Sequence, residues 1–385
     1  MTAVTVETPD YMTEDLRIFE DGVGKFLERE VVPNNERYIA QHHVDRDLWN
    51  KAGAAGLLCA SMPEEYGGSG GTFAHEAVII DQLGRRGVDG WGIVLHNAIV
   101  APYILHYGTE EQKKRWLPRL ASGELVGAIA MTEPGTGSDL QNVKTTAKRD
   151  GNQYLVNGSK TFITNGGTAN FVIVVSKTDT TKGAKGISLV CVETDEAEGF
   201  RRGRVLDKLG QKANDTAELF FDDVRVPTEN LIGIDEGQGF VQLMQQLPQE
   251  RLIIALQALA VIERALDVTG TYVKERRAFG KQIIEFQNTQ FKLAECKTEA
   301  TVGKVFCHHC VDLHLQGKLD ATMASMAKLW LTDTQCKIVD ECLQLHGGYG
   351  YMNEFPIARM FADSRVQKIY GGTNEIMKLL IARSL

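Results

Sequence analysis

The spacing of apolar residues changes twice along this chain, and those two changes constrain its fold more than anything else in it. Up to about residue 125 the apolar positions recur every three or four residues. Leu16, Phe19, Val23 and Phe26 form such a series, with Thr13 as its N-cap and Pro33 as its stop, which predicts one amphipathic helix. From about 126 to 238 the pattern becomes short runs of β type, "YLVNGSKTFITNG", "FVIVVSKT", "ISLVCVE" and "AELFFDDVRVP". Asn157-Gly158, inside the first of these, lies between two β-type stretches and predicts a two-residue hairpin there, because both turn positions need positive φ. After about 239 the helical spacing returns. Leu252, Leu256, Leu259, Ile262 and Leu266 fall on one face of one helix, and Met323, Met326, Trp330, Ile338, Cys342 and Leu345 on a face of another. Both stripes predict core packing. The expected architecture is α+β, with a helical domain over 1–125, a β domain of barrel or sandwich type over 126–238 and a helical domain over 239–385.

The 385 residues suffice for two or three domains, and 43% apolar content supports ordinary globular cores. A formal charge of −8 leaves no electrostatic footprint for nucleic acid or an anionic membrane. The most apolar run, "LIIALQALAVI" at 252–262, falls well short of the roughly 20 residues needed to cross a bilayer and reads as a buried helix. The opening "MTAVTVETPDYMTED" has neither a basic segment with an apolar stretch nor an Arg-rich amphipathic pattern. A cytoplasmic protein is expected, or a processed one of the mitochondrial matrix. Seven scattered cysteines fit free thiols better than a disulfide framework. In "FCHHCVD" Cys307 and Cys310 share a helix face, but His308 and His309 point about 100° apart, so no metal site is expected.

Three regions are rich in glycine and hydroxyls: "AMTEPGTGSDL" (130–140), "KTFITNGG" (160–167), and "QLHGGYGY" (344–351) with "IYGGTNE" (369–375). Glycine lets backbone N–H groups approach a ligand, and Ser and Thr supply hydrogen bonds to it. Together with "PEEYGGSGG" (63–71), "YGTEEQKKRWLP" (107–118) and "ERRAFGK" (275–281), these stretches give the chain a resemblance to the acyl-CoA dehydrogenase family over essentially its whole length. No G-x-G-x-x-G follows a strand, which disfavours a Rossmann dehydrogenase. The resemblance implies a C-terminal four-helix bundle, bound FAD, an acyl-CoA substrate, electron-transferring flavoprotein as electron acceptor, and a homotetramer in which a neighbouring subunit completes the flavin site.

Carried over by position, Met131, Thr132 and Ser138 line the flavin or the substrate's pantetheine, and Phe162 and Thr164 flank the isoalloxazine ring. Arg276 pairs with the flavin pyrophosphate. Gln287, Gln344, Gly347 and Gly348 contact the FAD of an adjacent subunit, and Thr373 and Glu375 approach the pyrophosphate or ribityl chain.

The family reaction needs a buried carboxylate to take the α-proton, and many members carry it where this chain has Gly371. Long-chain and isovaleryl-CoA dehydrogenases place it instead in a Glu-Arg pair on a C-terminal helix. Here "QQLPQERLIIAL" puts Glu250 and Arg251 at that position, so Glu250 is the expected base and Arg251 an orienting or substrate-binding group, with Pro248 starting or bending the helix. Gly371 and Gly372 are expected at the substrate, the Gly371 N–H facing the thioester oxygen. The closing "IYGGTNEIMKLLIAR" resembles the long-chain enzymes more closely, which favours a medium-to-long acyl chain and keeps a branched one in play. Rival expectations are an oxidase that uses dioxygen and a flavin and acyl-CoA-binding member without catalysis. A DNA-associated member is disfavoured by the acidic balance.

Overall fold

The computed structural model describes residues 4–385. The N-terminal helices are α1 (Glu14–Phe26), α2 (Asn35–Gln41), α3 (Arg46–Ala54), α4 (Phe73–Arg86), α5 (Ile93–Leu95), α6 (Ala101–Tyr107) and α7 (Glu110–Ala121). Thr13 caps α1 by accepting the Leu16 N–H at 3.3 Å, and Leu16, Val23 and Phe26 are buried. The predicted stop at Pro33 does not hold. A π turn over Leu27–Val31 and a 3-10 turn over Val32–Asn34 carry the chain into α2. Proline sits in the first turn of the latter, where its missing N–H has no intrahelical bond to lose.

The middle strands are β1 (Gly127–Ala130), β2 (Thr146–Asp150), β3 (Gln153–Thr164), β4 (Phe171–Lys177), β5 (Ile187–Glu193), β6 (Phe200–Val205) and β7 (Thr216–Pro227). They form one curled sheet in the order β1-β4-β2-β3-β7-β6, with β5 also on β4. β1 runs parallel to β4, Gly127 opposite Phe171, whereas β3 and β7 pair antiparallel.

Asn157-Gly158 is not a hairpin turn. It lies inside β3 at a bulge, where a Cβ on Gly158 would fall 2.4 Å from Thr145 Oγ1. Asn157 pins the bulge from both ends of its amide: Nδ2 donates to Asp223 Oδ1 at 2.8 Å, and Oδ1 accepts the Asp223 N–H at 2.9 Å. The β2–β3 reversal occurs instead at Gly151, φ +61°, where Asp150 faces Gln153. Local composition marked Asn157-Gly158 as the turn, but only strand pairing decides which glycine turns. A second register break between Lys160 and Ile163 holds Phe162 at φ +59° and turns its ring outward, 66% exposed.

The C-terminal region comprises α8 (Gly239–Glu275), a small hairpin of β8 (Arg277–Ala278) and β9 (Lys281–Gln282), α9 (Gln287–Leu315), α10 (Ala321–Leu345), α11 (Pro356–Ser364) and α12 (Asn374–Ala382). α8 is its axis and packs on α9, α10, α11 and, across the domain junction, α4. It starts at Gly239, so Pro248 lies within it and does not start it. Leu252, Leu256, Leu259, Ile262 and Leu266 are buried. The second stripe is corrected in part: Ile338 and Cys342 are buried, but Met326 and Trp330 are 36% and 46% exposed. Ala324, Ala327, Leu331 and Val339 form the buried face of α10 instead. α10 packs on α8, and Met326 and Trp330 lie off its buried face, beside Val302 and Phe306 of α9 in an open groove. Among the described residues no helix is long and apolar enough to cross a membrane.

Candidate functional site

Glu250 sits on α8 where that helix faces α6, and it is 6% exposed. Tyr103 of α6, wholly buried, donates from Oη to Glu250 Oε1 at 2.8 Å. Two forces act on the carboxyl. Burial disfavours the charged form, whereas the Tyr103 bond and the neighbouring Arg251 charge favour it. Burial prevails and pushes the pKa up to about 7, the range in which a carboxylate serves as a general base near neutral pH. Burial also pushes the Tyr103 hydroxyl upward, so it remains the donor.

Glutamines on the same side of α8 fix this face. Gln249 Nε2 donates to the Ala98 carbonyl at 2.7 Å and its Oε1 accepts from His314 at 2.9 Å; Gln246 Nε2 bonds His106 at 2.6 Å and Tyr107 at 3.3 Å. Ala98 lies in a π turn, His96–Val100, one of the irregularities that recur at functional sites. Tyr103 is a site residue that sequence reasoning missed. A tyrosine in the otherwise apolar "APYIL" must find a partner for its hydroxyl, and that was the available signal. Tyr103→Phe removes the bond that favours the carboxylate. The Glu250 carboxyl should then ionise at higher pH, and if it is the base of the expected reaction, the acid limb of the pH–rate profile should shift upward.

Gly371 and Gly372 form the turn into α12, with φ of +63° and +88°. A Cβ on Gly371 would lie 2.3 Å from Ile254 Cδ1. Ile254 is one helical turn beyond Glu250 and on the same face of α8. The two base positions considered from the sequence therefore adjoin in space, and Ile254 fills the room that a side chain at 371 would need. Among the described residues no group of the chain accepts the Gly371 N–H, which is free to bond a ligand.

The β domain contributes a second, rigid group. Lys160 is fully buried; its Nζ donates to the Met131 carbonyl at 3.1 Å, Glu133 Oε1 at 2.9 Å and the Val175 carbonyl at 2.7 Å. Glu133 also accepts the Lys144 and Thr145 N–H groups, and the Thr161 N–H donates to the Thr132 carbonyl at 2.9 Å. This buried pair, absent from the sequence expectations, clamps the segments bearing Met131, Thr132, Phe162 and Thr164. Ser138 is exposed on the same loop, where Gly135 and Gly137 have open space at the Cβ position.

A third group lines a cleft of about 410 Å³ beside the end of α8: Tyr272, Arg276, His346, Gly347, Gly348 and Tyr349. Tyr272 stacks on His346, and the Arg276 guanidinium lies 5.8 Å from the centre of the Tyr349 ring. Arg276 is thus brought together with Gly347 and Gly348, and no β-domain residue lines this cleft. Gln287 and Gln344 are exposed and lie outside its lining. Thr373 caps α12 by accepting the Ile376 N–H at 3.4 Å, and Glu375 is exposed in the first turn of that helix. Cys307 and Cys310 are buried thiols, and among the described residues no cluster of three metal-ligating side chains occurs.

These features fit FAD. Open glycines at 135, 137, 347 and 348 leave backbone accessible where no packing demands a missing side chain. Hydroxyls, the Arg276 guanidinium and an outward aromatic supply the donor and stacking groups a flavin dinucleotide uses.

Family models describing the N-terminal, middle and C-terminal domains of acyl-CoA dehydrogenase match residues 13–124, 128–224 and 237–385. The chain is 49% identical to the mitochondrial long-chain specific acyl-CoA dehydrogenase of Sus scrofa over 370 residues, covering 96% of this chain and 86% of that protein. It is 34% identical to the mitochondrial isovaleryl-CoA dehydrogenase of Oryza sativa subsp. japonica, over 95% of this chain and 90% of that one. A crystal structure of an acyl-CoA dehydrogenase from Geobacillus kaustophilus superimposes with a TM-score of 0.95 at 48% identity, covering 98% and 99% of the two chains. The buried carboxyl on α8, the glycine turn against it and these three matches agree: the chain belongs to the acyl-CoA dehydrogenase family, a family of FAD-dependent oxidoreductases.

Proposed function

We propose that this enzyme oxidises the Cα–Cβ bond of a medium-to-long-chain acyl-CoA to the trans-2-enoyl-CoA, with Glu250 as the base, and delivers the electrons to electron-transferring flavoprotein. The observation that carries this reading is Glu250 itself, a buried carboxyl with its pKa pushed up to about 7, held by Tyr103 beside a turn that has no side chain. Glu250 takes the α-proton. The Gly371 N–H, without an acceptor among the described residues, would bond the thioester oxygen, where negative charge grows as the α-carbon loses its proton. Bound FAD supplies the hydride acceptor for the β-hydrogen. Met131, Thr132, Ser138, Phe162 and Thr164 hold its ring and ribityl side.

Arg276, Gly347 and Gly348 lie in a cleft of their own, which supports a flavin site completed by a second subunit. An apolar groove of about 690 Å³ on α9, α10 and α12, lined by Val302, Phe306, Met326, Leu329 and Trp330, supports the same homotetramer. The 49% identity to a long-chain enzyme favours a long acyl chain, and the shared base position keeps a branched one as the second reading.

Anaerobic bleaching of the flavin by butyryl-, isovaleryl-, octanoyl- and palmitoyl-CoA tests both. Fastest reduction by octanoyl- or palmitoyl-CoA is expected. Isovaleryl-CoA as the only good reductant would replace the chain-length reading, and steady turnover with dioxygen alone would replace the electron acceptor.

A further inference from the structure

Two neighbouring cations, Lys328 at the Gly371–Gly372 turn and Arg251, lie buried without a carboxylate of the described residues at salt-bridge distance. α10 carries Ser325 and Lys328 three residues apart and hence on one face. Arg251 Nη1 donates to Ser325 Oγ at 3.3 Å. Lys328 Nζ donates to the Gly372 carbonyl at 2.6 Å and to Asn374 Oδ1 at 3.0 Å. Arg251 is 5% exposed, Lys328 is fully buried, and Arg251 Nε has no hydrogen-bond partner. Glu250 acts on Arg251, and Asp333 and Glu375 act on Lys328, only from longer range.

The contrast with Lys160 is informative. That lysine, equally buried, has Glu133 against it at 2.9 Å. Lys328 has two neutral oxygens and a second cation nearby, and burial, followed by the Arg251 charge, pulls its pKa down to about 8. Burying charge without a counter-charge is costly, and an apolar side chain would fill the same space without that cost. Such a cost is expected where negative charge appears only during the reaction and the positive potential must be in place beforehand.

We infer that Lys328 is a positioning residue for α-proton abstraction: its ammonium fixes the Gly371–Gly372 turn and, with Arg251, supplies the positive potential in which the thioester becomes enolate-like. The inference rests on the reading of Glu250 as the base. In the step concerned the α-proton moves to the Glu250 carboxylate. The C–H electron pair enters the bond between the α-carbon and the carbonyl carbon, and the carbonyl π pair moves onto oxygen. No oxidant takes part in that half of the reaction.

The test uses the FAD-loaded protein and 3-thiaoctanoyl-CoA, whose α-proton is acidified by sulfur and which has no β-hydrogen to lose. Ionisation of this analogue beside oxidised flavin gives a long-wavelength charge-transfer band. Lys328→Met should bind the analogue but ionise it at least about tenfold less at fixed pH. If Lys328→Met loses its flavin, Lys328→Arg and Lys328→Gln take its place, and only the charged substitution should keep the band. A wild-type band from Lys328→Met, or equal bands from the Arg and Gln variants, would overturn the inference. A failure of the underlying reading looks different: wild type itself gives no band, or Glu250→Gln keeps it.

Discussion

Glu250→Gln binds acyl-CoA as the wild type does, reduces its flavin about 10² to 10⁴ times more slowly, and yields a more stable protein above neutral pH. The rate loss is that of a missing general base. The stability gain follows from the burial that raises the Glu250 pKa from 4.5 to about 7. Between those values the unfolded chain has released the proton and the folded chain retains it, so stability falls as pH rises through the interval and levels off above about 7. The amide that replaces the carboxyl carries no charge and is spared that loss, while its oxygen still accepts from Tyr103. The variant should therefore gain roughly 3 kcal/mol at pH 8 and far less at pH 5, at 1.36 kcal/mol per pKa unit. Urea unfolding at the two pH values measures it, and stopped-flow bleaching measures the rate. A variant that is slow but no more stable at pH 8 would mean that the carboxyl is solvated or paired well enough to ionise near its ordinary pKa of 4.5.

Moving the carboxylate to the turn fails unless Ile254 is cut back. In Glu250→Gln/Gly371→Glu the new Cβ falls 2.3 Å from Ile254 Cδ1, at a residue with φ of +63°. The left-handed backbone alone costs about 1 to 2 kcal/mol for a side-chain-bearing residue. The collision is the larger obstacle, because it displaces either the turn or the face of α8 next to the base. The double variant should stay at the rate of Glu250→Gln. Adding Ile254→Ala opens the space and should recover about 10²-fold in flavin reduction. Recovery in the double variant alone would show that Ile254 yields freely and does not determine where the base resides.

Both experiments address proposals of different origin. The candidate base on α8 was legible in "PQERL" read against the glycine of "IYGGT", through resemblance to enzymes that place it there. That Ile254 occupies the space a side chain at 371 would need was not, since nothing in the sequence says that the α8 face carrying residues 250 and 254 meets the turn at 371.

The same division runs through the rest of the molecule. Residue spacing alone determined the order of helical, β and helical regions, the start of α1 at Thr13 and the buried stripe from Leu252 to Leu266. These depend on neighbours within a turn or two, and local periodicity records such neighbours faithfully. Tertiary structure alone decided that Asn157-Gly158 bulges inside a strand, that Met326 and Trp330 face outward, and that Tyr103, 147 residues from Glu250, holds its carboxyl. It also brought Lys328 to the Gly372 carbonyl from 44 residues away. Each of these outcomes is set by a surface packed from elsewhere in the chain, and pairing across such distances leaves no period in the sequence to read.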